Sequence, residues 1–222
     1  MGLIGSICRL IRSKRSCNYN PLKGEAHYEE VGNPAFTRYL IDSLKKRYIA
    51  FDVETTGLKA DKDRIVEVAA VLFVEGKPVK SFCSLVNPKR FIPWAASEIN
   101  GISNLVIRFA PSEETVFRNL LEFIEESLDN GTIMCAHNAK FDFDFLSYTL
   151  ERLGYKANVR CIDTLYQARK YIRNVSNYKL GTLMNHYGFE LSAHSAIDDA
   201  IDCGKILWAI LDDVEKAKAK KR

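Results

Sequence analysis

The sequence predicts an α/β domain built on a mixed sheet of five strands with helices on both faces. Three observations carry that prediction. Apolar runs at 48 to 54, 64 to 75 and 79 to 86 follow one another with only short polar connections, which is the pattern of an antiparallel meander. Further short apolar runs at 132 to 136 and 159 to 162 alternate with stretches of helical periodicity, as parallel strands joined by helices do. At 222 residues and 47% hydrophobic content the chain can bury one good core, so a single domain is expected.

Taken in order, Tyr39, Leu40 and Leu44 suggest a short helix leading into the first strand. A turn at Gly76-Lys77-Pro78 separates the second strand from the third. The helix from about 112 to 129 has Ser112 as its cap, with Glu113 and Glu114 favouring its N-terminus. After the 132 to 136 strand, Phe141, Phe145, Leu146, Leu150 and Leu153 mark a helix over 140 to 153 that Gly154 ends. Helices near 164 to 173, 179 to 187 and 195 to 213 complete the body; Ala196, Ala200, Cys203, Ile206, Leu207 and Ile210 form the apolar stripe of the last.

Acidic residues interrupt this apolar frame at three places. Asp52 and Glu54 project from one face of the first strand, about 6.5 to 7 Å apart along the chain. Two carboxylates on one face at the end of an apolar strand repel each other unless a positive charge lies between them, and a divalent cation is the simplest such charge. Taken alone, Asp-x-Glu reads equally well as a solvated strand end. Asp142 opens the 140 to 153 helix beside the end of a strand, where a carboxylate also suits the helix dipole; Asp144, two positions on, faces elsewhere and is assigned to solvent. Asp199 stands five residues after His194, a spacing that lets a histidine before a helix and an acid in its first turns share a cleft, and Asp198 and Asp202 compete for that position.

With these motifs in place the chain resembles the DEDD exonuclease superfamily, in its histidine-bearing branch, and most resembles the proofreading 3′ to 5′ exonucleases of bacterial DNA polymerase III. The likeness runs from Tyr48 to about Leu211. It includes Phe51-Asp52-Val53-Glu54-Thr55-Thr56-Gly57, Arg64-Ile65-Val66-Glu67, Asn100-Gly101-Ile102-Ser103, His137-Asn138-Ala139-Lys140-Phe141-Asp142, Asp163-Thr164-Leu165, Leu180-Gly181-Thr182-Leu183 and His194-Ser195-Ala196-Ile197-Asp198-Asp199. The resemblance implies a ribonuclease H-like fold, metal ligation by Asp52, Glu54, Asp142 and Asp199, and His194 as general base. It also implies that Thr55, Thr56 and Gly57, with His137, Asn138 and Phe141, meet the terminal nucleotide. The substrate would be a single-stranded or frayed 3′ end of DNA, with a polymerase subunit as a candidate partner.

The chemistry suits these residue types. Two metal ions about 3.5 to 4 Å apart can stabilise both the attacking and the leaving oxygen of a phosphodiester, and magnesium, or manganese in its place, wants oxygen ligands. Imidazole titrates near neutral pH, as a base for water must. An RNA-trimming exonuclease of the ribonuclease T or oligoribonuclease type would use the same five residues, but Thr55-Thr56-Gly57 leans toward the DNA branch, since oligoribonucleases typically carry Met-Thr-Gly there. A non-catalytic nucleic-acid-binding or polymerase-docking module would be favoured by loss of an acid, and none is lost.

Charge is unevenly spread. Residues 1 to 48 carry nine Lys or Arg against four acids and residues 215 to 222 five against one, while the body between is net acidic despite an overall charge of +4. The expected division is therefore a basic N-terminal extension over 1 to 47, partly disordered or an amphipathic helix, an exonuclease domain over 48 to 214, and a basic tail over 215 to 222; such ends suit a phosphate backbone or simply solubility. Leu3, Ile4, Ile7, Leu10 and Ile11 form an apolar stripe among basic residues that would suit an anionic membrane or partner, and Met1-Gly2-Leu3-Ile4-Gly5-Ser6 fits a myristoylation pattern. The six cysteines show no paired metal spacing and read as reduced thiols of a cytoplasmic protein.

Overall fold

In the computed structural model, residues 28 to 30, 35 to 127, 133 to 155, 159 to 191 and 195 to 220 are described. The elements follow the order β1 (Tyr28–Glu30), α1 (Arg38–Lys46), β2 (Arg47–Thr55), β3 (Ile65–Val74), β4 (Lys77–Leu85), α2 (Trp94–Asn100), α3 (Asn104–Ile107), α4 (Glu113–Ser127), β5 (Ile133–Ala136), α5 (Ala139–Arg152), β6 (Val159–Asp163), α6 (Thr164–Tyr171), α7 (Leu180–His186) and α8 (Ala196–Ala219). The five expected strands form one mixed sheet in the order β6-β5-β2-β3-β4, and the short β1 adds a sixth strand beside β6. β2, β3 and β4 are antiparallel neighbours, whereas β5 and β6 run parallel to β2 and to each other.

Alternation along β2 decides what each face of the sheet meets. Tyr48 and Ala50 pack with α1, α6, α7 and α8, while Ile49, Phe51 and Val53 pack with α4 and α5. A strand repeats every two residues, so Asp52 and Glu54 continue the face that carries α8. That helix lies close on the sheet: an added Cβ at Gly204 would fall 2.3 Å from the Phe73 ring. Phe73 in turn stacks on Tyr48 at 4.9 Å, and the Tyr48 hydroxyl donates to the Gly204 carbonyl.

The elements depart from the sequence expectations in three places. The hairpin between β3 and β4 turns at Glu75 and Gly76, both at positive φ (50° and 75°), which matches the right-handed twist of the flanking strands. Pro78 therefore lies inside β4 rather than in the turn, where an edge strand tolerates its missing N–H. Second, α2 and α3 were not foreseen; α2 buries no residue, so it has no apolar stripe to reveal it. Third, the core reaches back beyond residue 48. Phe36, Leu40, Ile41 and Leu44 are buried with the α8 face, and Lys45 binds Asp212 and Glu215 on α8.

At the other end, α8 runs on to Ala219, and Lys218 donates to the Phe36 carbonyl. Part of the basic tail is thus a helix tied to the stretch that leads into α1. The stripe at Leu3 to Ile11 and the myristoylation pattern lie outside the described residues. Cys135, Cys161 and Cys203 are buried and Cys83 is partly buried, none of the four joined in a disulfide. Among the described residues, no helix is long and apolar enough to cross a membrane.

Candidate metal centre and nuclease site

The acids of β2 meet those of two helices at the carboxyl end of the strand. Carboxylate oxygens of Asp52, Glu54 and Asp199 lie within 4.8 Å of one another, all three residues being partly buried. Asp199 comes from the first turn of α8, which Ser195 caps by accepting the Asp198 N–H. The structure also separates the competitors for that position. Asp198 is engaged by the Ser195 hydroxyl at 2.6 Å, and buried Asp202 pairs with Lys205 at 3.0 Å.

Asp142 arrives from the opposite side of the sheet. It is only 3% exposed, and its Oδ1 accepts the Val53 N–H at 3.2 Å, between the two acids of β2. The residue thus bonds across to the strand. Asp144 faces outward, as expected, and pairs with Lys140 at 2.6 Å.

Crowding carboxylates in this way raises their affinity for protons. Burial, followed by the charges of Asp142, Asp199 and Glu54, pushes the Asp52 carboxyl well above the usual range. Burial also raises Asp142, against the opposing pull of the Val53 N–H. Glu54 is pushed up to about 7 by burial and then by Glu67 and Asp199. Repulsion among such oxygen donors is relieved by bound protons or by a cation, and hard divalent ions fit that donor set.

Glu67 joins the site although neither the motifs nor the resemblance gives it a role. It stands directly across the sheet from Glu54, and its Oε2 accepts the Ala196 N–H at the start of α8 at 3.1 Å. It ties the helix that carries Asp199 to the strand beside Glu54. Its position in Arg64-Ile65-Val66-Glu67, an acid inside an apolar strand, was the available signal.

The expected nucleotide-contacting residues divide into a turn and a brace. A register shift between Glu54 and Thr55 swings the chain off the strand. Thr56 then exchanges bonds with Arg64, its N–H reaching the Arg64 carbonyl at 2.8 Å and its hydroxyl accepting the Arg64 N–H at 3.0 Å. Asn100 supports the same turn by donating to the Thr55 carbonyl at 3.3 Å. Gly57 is required by its neighbour, because a Cβ there would lie 2.5 Å from the Asp63 carboxylate.

His137 is braced within the fold: its Nδ1 lies 3.0 Å from the Thr164 hydroxyl and its Nε2 2.9 Å from the Tyr178 carbonyl. Burial holds its pKa below the ordinary value. Asn138 takes the left-handed conformation (φ 72°) and donates its N–H to Asp163, which also caps α6. Phe141 is partly buried against Phe145, with ring centroids 5.0 Å apart. His194 lies outside the described residues.

A model of the RNase T exonuclease family matches residues 49–207. The PolC-type DNA polymerase III of Caldanaerobacter subterraneus subsp. tengcongensis is 32% identical over 197 residues, which are 88% of this chain and 14% of that polymerase. Its counterpart in Oceanobacillus iheyensis is 36% identical over 190 residues, 84% of this chain and 13% of that protein. The chain therefore spans only a small part of these relatives.

Among solved structures, Exonuclease I from Methylocaldum szegediense superposes with a TM-score of 0.64 at 19% identity, covering 78% of this chain and 41% of that one, a likeness of fold. Exonuclease X, solved with 5′ overhanging duplex DNA, gives 0.57 at 25% identity over 75% of this chain and 90% of that one. Matched by the family model over most of its length, and by these polymerases at 32% and 36% identity, the chain belongs to the RNase T exonuclease family and carries its nuclease domain.

Proposed function

We propose that the protein is a 3′ to 5′ exonuclease that removes nucleoside 5′-monophosphates from the 3′ end of DNA, in proofreading or repair, by a two-metal mechanism. The observation that carries this reading is the convergence of Asp52, Glu54 and Asp199 within 4.8 Å, with Asp142 bonded to the backbone between the first two. Similarity to the PolC-type DNA polymerases favours DNA over RNA and replication or repair as the setting.

In this reading Asp52, Glu54, Asp142 and Asp199 hold two magnesium ions, for which manganese substitutes. Bound there, the ions would offset charge on the attacking and leaving oxygens of the scissile phosphodiester. The chain's own residues do the rest. Asp52, near the end of β2, would serve both ions, Glu54 and Asp199 would ligate one, and Asp142 would support the other. The Thr55 to Gly57 turn, fixed by Arg64 and Asn100, receives the terminal nucleotide, and Phe141 flanks it. His194 accepts the proton of the attacking water, the role that its place five residues before Asp199 and the family resemblance give it. His137 and Asn138 act by holding the β5 to α5 turn that presents Asp142.

Incubation of the protein with end-labelled single-stranded DNA, mismatched duplex and RNA, with magnesium or with excess chelator, tests the assignment. Stepwise shortening from the 3′ end, dependent on metal and suppressed by a blocked 3′ hydroxyl, is expected. Cleavage of a circular single strand, or full turnover in chelator, refutes it. Preference for RNA would move the protein to the ribonuclease T or oligoribonuclease type.

A further inference from the structure

A cleft of about 620 Å³ has Arg64, Lys89, Arg90 and Arg152 among its lining residues. The four cations come from three separate stretches of chain. Arg64 and Arg90 hang from the same short turn, Arg64 donating to the Lys62 and Asp63 carbonyls (3.1 and 2.8 Å) and Arg90 to the Lys62 carbonyl (2.6 Å). Each spends one nitrogen there, and a guanidinium has five donors. Arg152 enters from the end of α5, held by Glu113 at 2.6 Å.

The two carboxylates on the cleft wall do not balance this charge. Glu113 is bound by Arg152, and Glu114 by Arg118 at 3.2 Å. Burial and then the charge of Arg152 hold Arg64 below its ordinary pKa against the opposing pull of Glu113, with Arg90 adding to the lowering. Guanidinium groups gathered in this way match phosphate oxygens in geometry as well as in charge. The cleft is also joined to the substrate turn, since Arg64 is the residue whose backbone exchanges both bonds with Thr56.

We infer that this cleft binds the phosphodiester backbone of the substrate strand, taking phosphates that lie 5′ to the nucleotide held at the Thr55 to Gly57 turn. The inference rests on the exonuclease reading for the identity of the strand. The cleft would supply affinity for longer strands without discriminating bases, because phosphate contacts position a strand and carry no sequence.

The test compares the full-length wild type with a Lys89→Glu, Arg90→Glu double variant, both exposed positions remote from the acids in sequence. Binding of a 5′-labelled single-stranded oligonucleotide is followed by fluorescence anisotropy in calcium over a salt series, and magnesium-dependent cleavage of a dinucleotide, too short to reach the cleft, is measured alongside. The variant should bind the oligonucleotide at least ~10-fold more weakly, with the slope of log K against log salt reduced by about 0.7 per lost contact. Its dinucleotide cleavage should be unchanged, and Arg90→Lys should keep most of the affinity. Equal affinity and equal salt slope in wild type and double variant overturn the inference. Failure of the exonuclease reading would show separately, as absence of dinucleotide cleavage by the wild type, while the anisotropy arm still decides whether the cleft holds a phosphate backbone.

Discussion

In metal-free protein, Glu54→Gln should remove a pH-dependent destabilisation that magnesium also removes. Glu54 is pushed from an ordinary 4.5 to about 7 by burial, Glu67 and Asp199. The folded state therefore holds its proton where the unfolded chain has released it, and stability falls as pH rises from about 4.5 to 7. At ~1.4 kcal/mol per pKa unit the shift corresponds to at most ~3.4 kcal/mol, which solvent screening of a partly exposed carboxylate reduces to ~1–2 kcal/mol. For a chain of this size that is roughly 2–8 °C in Tm.

The assay is thermal unfolding by circular dichroism in excess chelator between pH 4.5 and 8, for wild type and variant. His137, held below its ordinary value by burial, acts with the opposite sign, since stability falls as pH drops below about 6.5. It is present in both proteins and cancels in the difference. Relative to Glu54→Gln, wild type should lose stability up to pH 7 and stay level above it. At pH 8 magnesium should restore wild type selectively, by ~2.7 kcal/mol at a hundredfold excess over Kd. A wild-type curve parallel to that of the variant, or indifference to magnesium, refutes the argument that these acids await a cation.

Asp52→Ala should abolish DNA hydrolysis while leaving the circular dichroism spectrum intact; normal turnover by the variant would remove Asp52 from the metal site. His194→Ala should lower turnover by roughly 10² to 10⁴ and erase the rising limb of the rate profile near neutral pH; an unchanged rate and profile would show that water is ionised without it. Gly204→Ala should destabilise by ~1–3 kcal/mol, because the new methyl would fall 2.3 Å from the Phe73 ring, itself stacked on Tyr48. A wild-type Tm in that variant would mean that α8 can lift from the sheet freely.

Periodicity within short segments placed much of this molecule. The alternation in Tyr48 to Glu54 was enough to put Asp52 and Glu54 on one face of a strand, because a strand's side chains repeat every two residues whatever surrounds them. Helical spacing likewise located α5 and α8, and the Ser112 cap with Glu113 and Glu114 located α4; all three pack on the sheet. Only the tertiary structure decided which face of β2 met α8; Asp199 was already preferred from the sequence and the resemblance, and the fold brings it to Asp52 and Glu54 while Ser195 engages Asp198 and Lys205 pairs with Asp202.

The same holds for Glu67, which stands across from Glu54 only through the β2 to β3 register and reaches Ala196 from 129 residues away. Arg64, Arg90 and Arg152 are gathered by loops and by the end of α5, with no periodic signal to announce them. α2 escaped sequence reading because it buries nothing, and α1 was placed in the extension although Phe36, Leu40, Ile41 and Leu44 pack against α8. Local pattern records which way a side chain points from its own element. What it points at depends on strand register and helix crossing, which are settled by packing between residues distant in the chain.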